Sequence, residues 1–134
     1  MTLIRLAGCA AVVAGLAAAQ SLSFEVYRTK VEPIFMKKRQ GHARCVACHE
    51  ASNNAFRLEP RASGATSWTE EQSRKNFETV SRLVRPGNPT ASILLHHPLA
   101  KEAGGDIFHS GGRQFTSQDD PDLVAVADWI KQAK

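Results

Sequence analysis

The pentapeptide Cys45-Val46-Ala47-Cys48-His49 constrains this chain more than any other feature of it. Residues three apart share one face of a helix. A helical turn here therefore presents both sulfurs to the same body, with an imidazole beside them. This is the c-type haem attachment pattern: each thiol adds across one of the two vinyl groups on one porphyrin edge, and His49 is held under the iron as its proximal ligand. With this composition the pattern would arise by chance in roughly a few sequences per thousand, so coincidence explains it poorly. Other chemistries also pair cysteines. A zinc site wants a second Cys/His pair at close spacing, and a thioredoxin-like motif wants βαβ patterning; the chain offers neither. A structural disulfide is the remaining alternative.

Haem c is attached outside the cytoplasm, and the start of the chain fits export. Residues 1–19 carry Arg5, an apolar run from Leu6 onward and the small residues Ala17-Ala18-Ala19. That reads as a secretory signal peptide cleaved before Gln20. The run is shorter than the roughly 17 residues needed to cross a bilayer, and no later stretch approaches that length. The expected product is an exported, periplasmic or extracellular protein with no stable membrane insertion once the leader is removed. Cys9 leaves with the leader. The segment Leu6-Ala7-Gly8-Cys9 imitates a lipidation site, but few residues precede it and the apolar run continues past it.

Residues 20–134 suffice for one domain, and a domain that small is marginal unless something adds to its core. The formal charge of the whole chain is +4, with Lys and Arg scattered rather than gathered on one face, which argues against nucleic acid as a partner. The one cluster, Lys37-Lys38-Arg39, reads as a solvated helix end. The pattern throughout is helical. Ser23 caps a first helix bearing Phe24, Tyr27, Val31, Ile34 and Phe35, kinked at Pro33 and ended by Gly41. Residues 51–67 read as a polar loop. Thr69-Glu70-Glu71-Gln72 is a capping box for a helix running through Phe77, Val80 and Val84. Asn88-Pro89 starts a short helix with Ile93, Leu94 and Leu95, and 98–117 is a glycine-rich loop. Asp120-Pro121 opens a last helix with Leu123, Val126, Ala127 and Ile130 on one face and Lys131 and Lys134 at its negative end. Phe24, Tyr27 and Phe35 are expected to face Val126, Trp129 and Ile130.

A helix, then Cys-x-x-Cys-His, then an amphipathic C-terminal helix is similar to the monohaem cytochrome c family. More narrowly, the chain resembles the planctomycete-type cytochrome c domains of secreted bacterial proteins. The residues that carry the likeness are Val31-Glu32-Pro33-Ile34-Phe35, Cys45–His49, Val84-Arg85-Pro86-Gly87-Asn88-Pro89 with Ser92-Ile93-Leu94-Leu95, His109-Ser110-Gly111-Gly112, Phe115 and Trp129-Ile130. The resemblance implies an all-α, cytochrome c-like helical fold around one covalent haem c, with first and last helices crossing.

The departure lies at the second axial position of the iron. Many small cytochromes c use a methionine well downstream of the motif. Here the one methionine after the leader is Met36, nine residues upstream of Cys45 and expected in the core. His42 lies too close to Cys45 to reach the opposite haem face. His109, between Gly104-Gly105 and Gly111-Gly112, is the first candidate for the distal ligand, and a histidine before a glycine pair recurs at this place in the resembling family. His97, at a helix end, is the second candidate; His96, Met36 or an open site complete the alternatives.

Electron transfer follows if two side chains hold the iron: a one-electron Fe(III)/Fe(II) carrier, not an enzyme, working with a redox partner protein. An open distal site would instead suit a haem enzyme or gas sensor, peroxidase-like in chemistry, although no catalytic acid–base pair stands out. A structural haem module within a larger assembly is a third reading.

Overall fold

The computed structural model describes residues 21–50 and 52–133. The expected leader, with Arg5 and Cys9, lies outside the described residues, as does Lys134. Among the described residues the class is all-α: six α-helices joined by loops and 3-10 turns, with two isolated bridges and no extended strand.

The first helical run, 24–36, has three parts: α1 (Phe24–Val26), a π-helical segment (Tyr27–Val31) and α2 (Glu32–Met36). Ser23 caps it, its hydroxyl accepting from the Val26 amide. Pro33 has no amide to donate and would crowd the carbonyl four residues earlier. The run does not break there, because the preceding turn is widened to i→i+5 bonding, with the Glu32 amide donating to the Tyr27 carbonyl. It stops at Met36, where Lys37 turns extended. Gly41 therefore does not end the helix; it sits later, at φ +77° in a separate turn.

The haem-type pentapeptide forms one helical turn, α3 (Cys45–His49), anchored by buried Val46. The capping box opens α4 (Glu70–Ser81) as expected, with Thr69 and Gln72 bonding each other's amides. This helix stops at Ser81, short of Val84. Asn88 caps a 3-10 turn, Pro89–Ala91, by accepting from the Ala91 amide, and α5 (Ile93–His96) follows after Ser92 breaks into extended backbone. Asp120 caps α6 (Pro121–Lys131) by accepting from the Asp122 amide, with Pro121 in the first turn, where a missing N–H costs nothing.

First and last helices pack as the pattern predicts. Tyr27 lies 5.6 Å from Trp129 between ring centres, and Phe77 of α4 closes the cluster at 5.3 Å from Tyr27 and 6.2 Å from Trp129. The Trp129 indole N–H donates to the Ser23 carbonyl at 2.9 Å, so the residue that caps the first helix also satisfies the last helix's buried polar atom. Phe35 takes a different place from the one expected: it turns from α6 toward Phe56, at 5.0 Å.

Two segments read as solvated are tied down. The loop after α3 drops Leu58, fully buried, into the core, and the Leu58 amide donates to the His49 carbonyl. Trp68 donates to the Glu59 carbonyl, and Asn76 of α4 accepts from the Glu59 amide. The Lys37-Lys38-Arg39 cluster is likewise not a free helix end. Lys37 pairs with Asp122, and Arg39 pairs with both Asp120 and Asp122 while stacking 4.3 Å over the Phe115 ring. The guanidinium fork suits this two-carboxylate arrangement better than an ammonium would.

The hydrogen bond from Arg39 holds the Asp120 carboxyl below its ordinary value. A carboxyl whose folded pKa is depressed stabilises the fold above its unfolded value and loses that contribution as pH falls through the folded one. Thermal melts should therefore drop as pH is lowered below about 4, and Asp120→Asn should flatten this part of the acid dependence. At neutral pH, Trp129→Ala should cost about 3–5 kcal/mol and lower the melting temperature by more than about 10 °C. An unchanged melt would contradict the packing of first on last helix.

Candidate functional site

Between α2, α3, α5 and α6 lies a cavity of about 350 Å³. Its walls are apolar: Ile34 and Phe35 from α2, Leu94 and Leu95 from α5, Leu123 and Val126 from α6. Protein interiors leave few voids larger than a water molecule, and this volume falls in the range of ligand sites. Cys45, Cys48, His49, His97 and His109 all line it, so the fold gathers every sequence-derived site residue around one space.

Cys45 is half-buried, Cys48 is exposed, and both are free thiols. The disulfide alternative is thus not what the turn adopts. Burial pushes the Cys45 thiol up, the opposite of the lowered value that a thioredoxin-like nucleophile needs. His49 is held by the loop that follows it: Nδ1 donates to the Phe56 carbonyl at 2.8 Å, and the Phe56 ring packs at 4.5 Å between centres. A carbonyl can only accept, so Nδ1 carries the proton and Nε2 keeps its lone pair. Burial lowers the His49 pKa, against the hydrogen bonds it gives to the Phe56 carbonyl and the Asn54 side chain, which favours the neutral, ligating form.

His109 faces His49. Their ring centres are 6.3 Å apart and their planes lie within 11°. The Nδ1 of His109 donates to the Gly112 carbonyl at 2.6 Å, again leaving Nε2 as the basic nitrogen. The two glycines after it have separate reasons to be there. Gly112 has φ +79°, and a Cβ on Gly111 would lie 3.1 Å from His109 Cε1. Two imidazoles bound to one metal from opposite sides, at about 2 Å each, place their ring centres about 6 Å apart. Backbone carbonyls behind the ring nitrogens, as behind both of these, are also what orients histidines that ligate a metal.

The other candidates are placed differently. His97, at the C-cap of α5, packs edge-on against His109 at 4.9 Å and pairs its Nδ1 with Asp106 at 2.9 Å. It lies beside the distal candidate and buttresses it. His96 points out of the cavity, its two ring nitrogens engaged by the Gly104 and Thr90 carbonyls. His42 is half-buried against Gly112 rather than solvated. Met36 lies at the core margin with Arg61 on its sulfur and is not among the cavity residues. Sequence reasoning missed Phe56, Asn54 and Asp106. The available signal was an aromatic seven residues after His49 in an otherwise polar loop, and an acid between two glycines and His109.

Compared with known protein families, with curated proteins and with solved structures, the chain matches none.

Gly105 carries the turn that presents Asp106 to His97. A Cβ there would lie 2.0 Å from the Leu99 carbonyl oxygen, whereas one on Gly41 meets nothing within 4 Å. Gly41→Ala bears only left-handed backbone strain, about 1–2 kcal/mol. Gly105→Ala must displace main chain, so it should melt clearly below Gly41→Ala and show disturbed His97 and His109 ring resonances in NMR spectra. Equal melts for the two variants would contradict this packing.

Proposed function

We propose that this protein is an exported electron-transfer haemoprotein of cytochrome c-like fold, a one-electron Fe(III)/Fe(II) carrier with one covalent haem c. The observation that carries the reading is the His49–His109 pair: two carbonyl-anchored imidazoles set 6.3 Å apart across an apolar cavity whose wall holds two free thiols three residues apart. The residues fit the group. Cys45 and Cys48 would hold it as thioethers, His49 Nε2 would be the proximal ligand and His109 Nε2 the distal one. Haem supplies a reversible one-electron iron couple.

The chain's own residues do the rest. Were both imidazoles to hold the iron, no position would be left for a substrate, which favours a carrier over an enzyme. Phe56 and Gly112 hold the two rings through their carbonyls, so neither ring need turn when the charge of the site changes. The apolar side chains of α2, α5 and α6 exclude water. Exclusion of water and fixed ligands both reduce the rearrangement that accompanies electron transfer. Imidazole in place of a thioether implies a lower reduction potential than that of a Met/His site. A separate redox protein would be the partner.

Protein made with a haem-attachment system should retain haem through acid–acetone extraction and give the pyridine spectrum of two saturated vinyls. Cys45→Ser with Cys48→Ser should abolish retention; haem that extracts freely from the wild type would overturn the reading. His109→Ala should convert ferric iron from low-spin to high-spin and admit cyanide or imidazole rapidly, while His97→Ala should remain low-spin. The reverse pattern would move the distal ligand to His97, and high-spin wild-type iron would favour the open-site enzyme or sensor.

A further inference from the structure

On the reading above, His97 and Asp106 stand beside the site without holding the group themselves. His97 is the C-cap of α5, its amide donating to the Ile93 carbonyl, and Asp106 follows the turn at Gly105. The two are joined twice. The Asp106 amide donates to the His96 carbonyl at 3.1 Å, and His97 Nδ1 donates to the Asp106 carboxylate at 2.9 Å. Main chain thus fixes the carboxylate, and the carboxylate fixes the ring. Both side chains are nearly half exposed, so their pairing adds little to stability. What it does is set the place of the His97 ring.

That ring packs against His109. Their centres are 4.9 Å apart and their planes cross at 83°, so the edge of one ring meets the face of the other. The Gly112 carbonyl tethers His109 at one ring atom, Nδ1, at 2.6 Å. A single tether leaves an imidazole free to rock; a contact from another side is needed to fix its plane. His97 supplies that contact, and the His109 plane lies within 11° of the His49 plane. His49 is held in the same manner, by the Phe56 carbonyl on Nδ1 and by the Phe56 ring at 4.5 Å. Each imidazole is therefore gripped by one carbonyl and one neighbouring ring.

We propose that His97, held by Asp106, is a positioning residue that sets the plane of the distal imidazole and keeps it aligned with that of His49. This rests on the haem reading above. Low-spin ferric iron keeps its unpaired electron in a d orbital whose direction follows the planes of its axial imidazoles. Aligned, fixed planes hold that direction steady with respect to the chain. A distal ring that rocks would let it wander, and the ring would have to reorient each time the iron changed charge. His97 does for the plane of His109 what the Gly112 carbonyl does for its tautomer. Since His97 makes no bond to the iron on this reading, its loss changes the orientation of a ligand and not the ligand set.

Ferric electron paramagnetic resonance reads this angle. Near-parallel imidazoles give a rhombic low-spin signal with three separated g-values; crossed ones give a strongly anisotropic signal with a larger maximum g. Covalent holoprotein, wild type and variants, is compared in frozen solution, with thermal melts confirming that each folds. Wild type should give the narrow rhombic signal. His97→Ala should stay low-spin, with its largest g-value moved upward and its lines broadened. Asp106→Ala, which frees the ring without removing it, should shift the same way by less. Asp106→Asn, which still accepts from Nδ1 but carries no charge, should match wild type. An unchanged signal in either His97→Ala or Asp106→Ala would overturn the proposal. So would an Asp106→Asn signal shifted as far as that of Asp106→Ala, which would make charge and not position the cause. A large-maximum signal in wild type would overturn the alignment, and high-spin iron in His97→Ala would make His97 a ligand instead. Each of these results leaves covalent haem standing. Wild-type protein that holds no covalent haem, or holds it high-spin, would overturn the haem reading and this proposal with it.

Discussion

Everything in this structure depends on the apolar cavity that the helices enclose instead of closing. A domain of this size has little core to spare, yet Ile34, Phe35, Leu94, Leu95, Leu123 and Val126, besides packing in the core, border a space of about 350 Å³. A flat apolar group fastened to Cys45 and Cys48 would complete the core, so on the proposed reading attachment and folding are one event.

What remains of the core stands on the far side of the first helical run. There Tyr27, Phe77 and Trp129 interlock, and the Ser23 carbonyl receives the indole proton. The same run carries Ile34 and Phe35 into the cavity wall, so one helix couples the aromatic cluster to the site. The Arg39 clamp onto Asp120 and Asp122 does a related job at the other end. It fixes the approach to α3 against the start of α6, and Phe115 beneath the guanidinium ties in the loop that bears His109. Few isolated surface pairs matter much, but this one is partly shielded and joins segments 81 and 83 residues apart in sequence.

The helix starts were legible because each is a local event. Ser23, Thr69 with Gln72, Asn88 and Asp120 all cap as their side chains predict. The ends were read less well. Gly41 and Val84 looked like the natural limits of two helices, yet Met36 and Ser81 are the last residues, and Val84 is buried from beyond the helix end. The loop 52–67 looked idle because its polar composition hides an anchor, Leu58, with Trp68 as a second just past its end, and the burial of both is decided by partners elsewhere in the chain.

The sequence by itself determined the all-α class, the caps, the turn that sets Cys45, Cys48 and His49 together and a short list of histidines that could face it. Those follow from spacings of three or four residues, which one helical turn converts directly into geometry. Only the tertiary structure shows which of His96, His97 and His109 faces His49. The three lie on one stretch of chain with nothing local to rank them by distance to His49, and the choice depends on how the turn at Gly105 and the close approach of Gly111 steer that stretch across the cavity. The same holds for Tyr27 and Glu32. Five residues apart, they would diverge on a regular helix, and their contact exists because Pro33 is accommodated by a π turn rather than by a break.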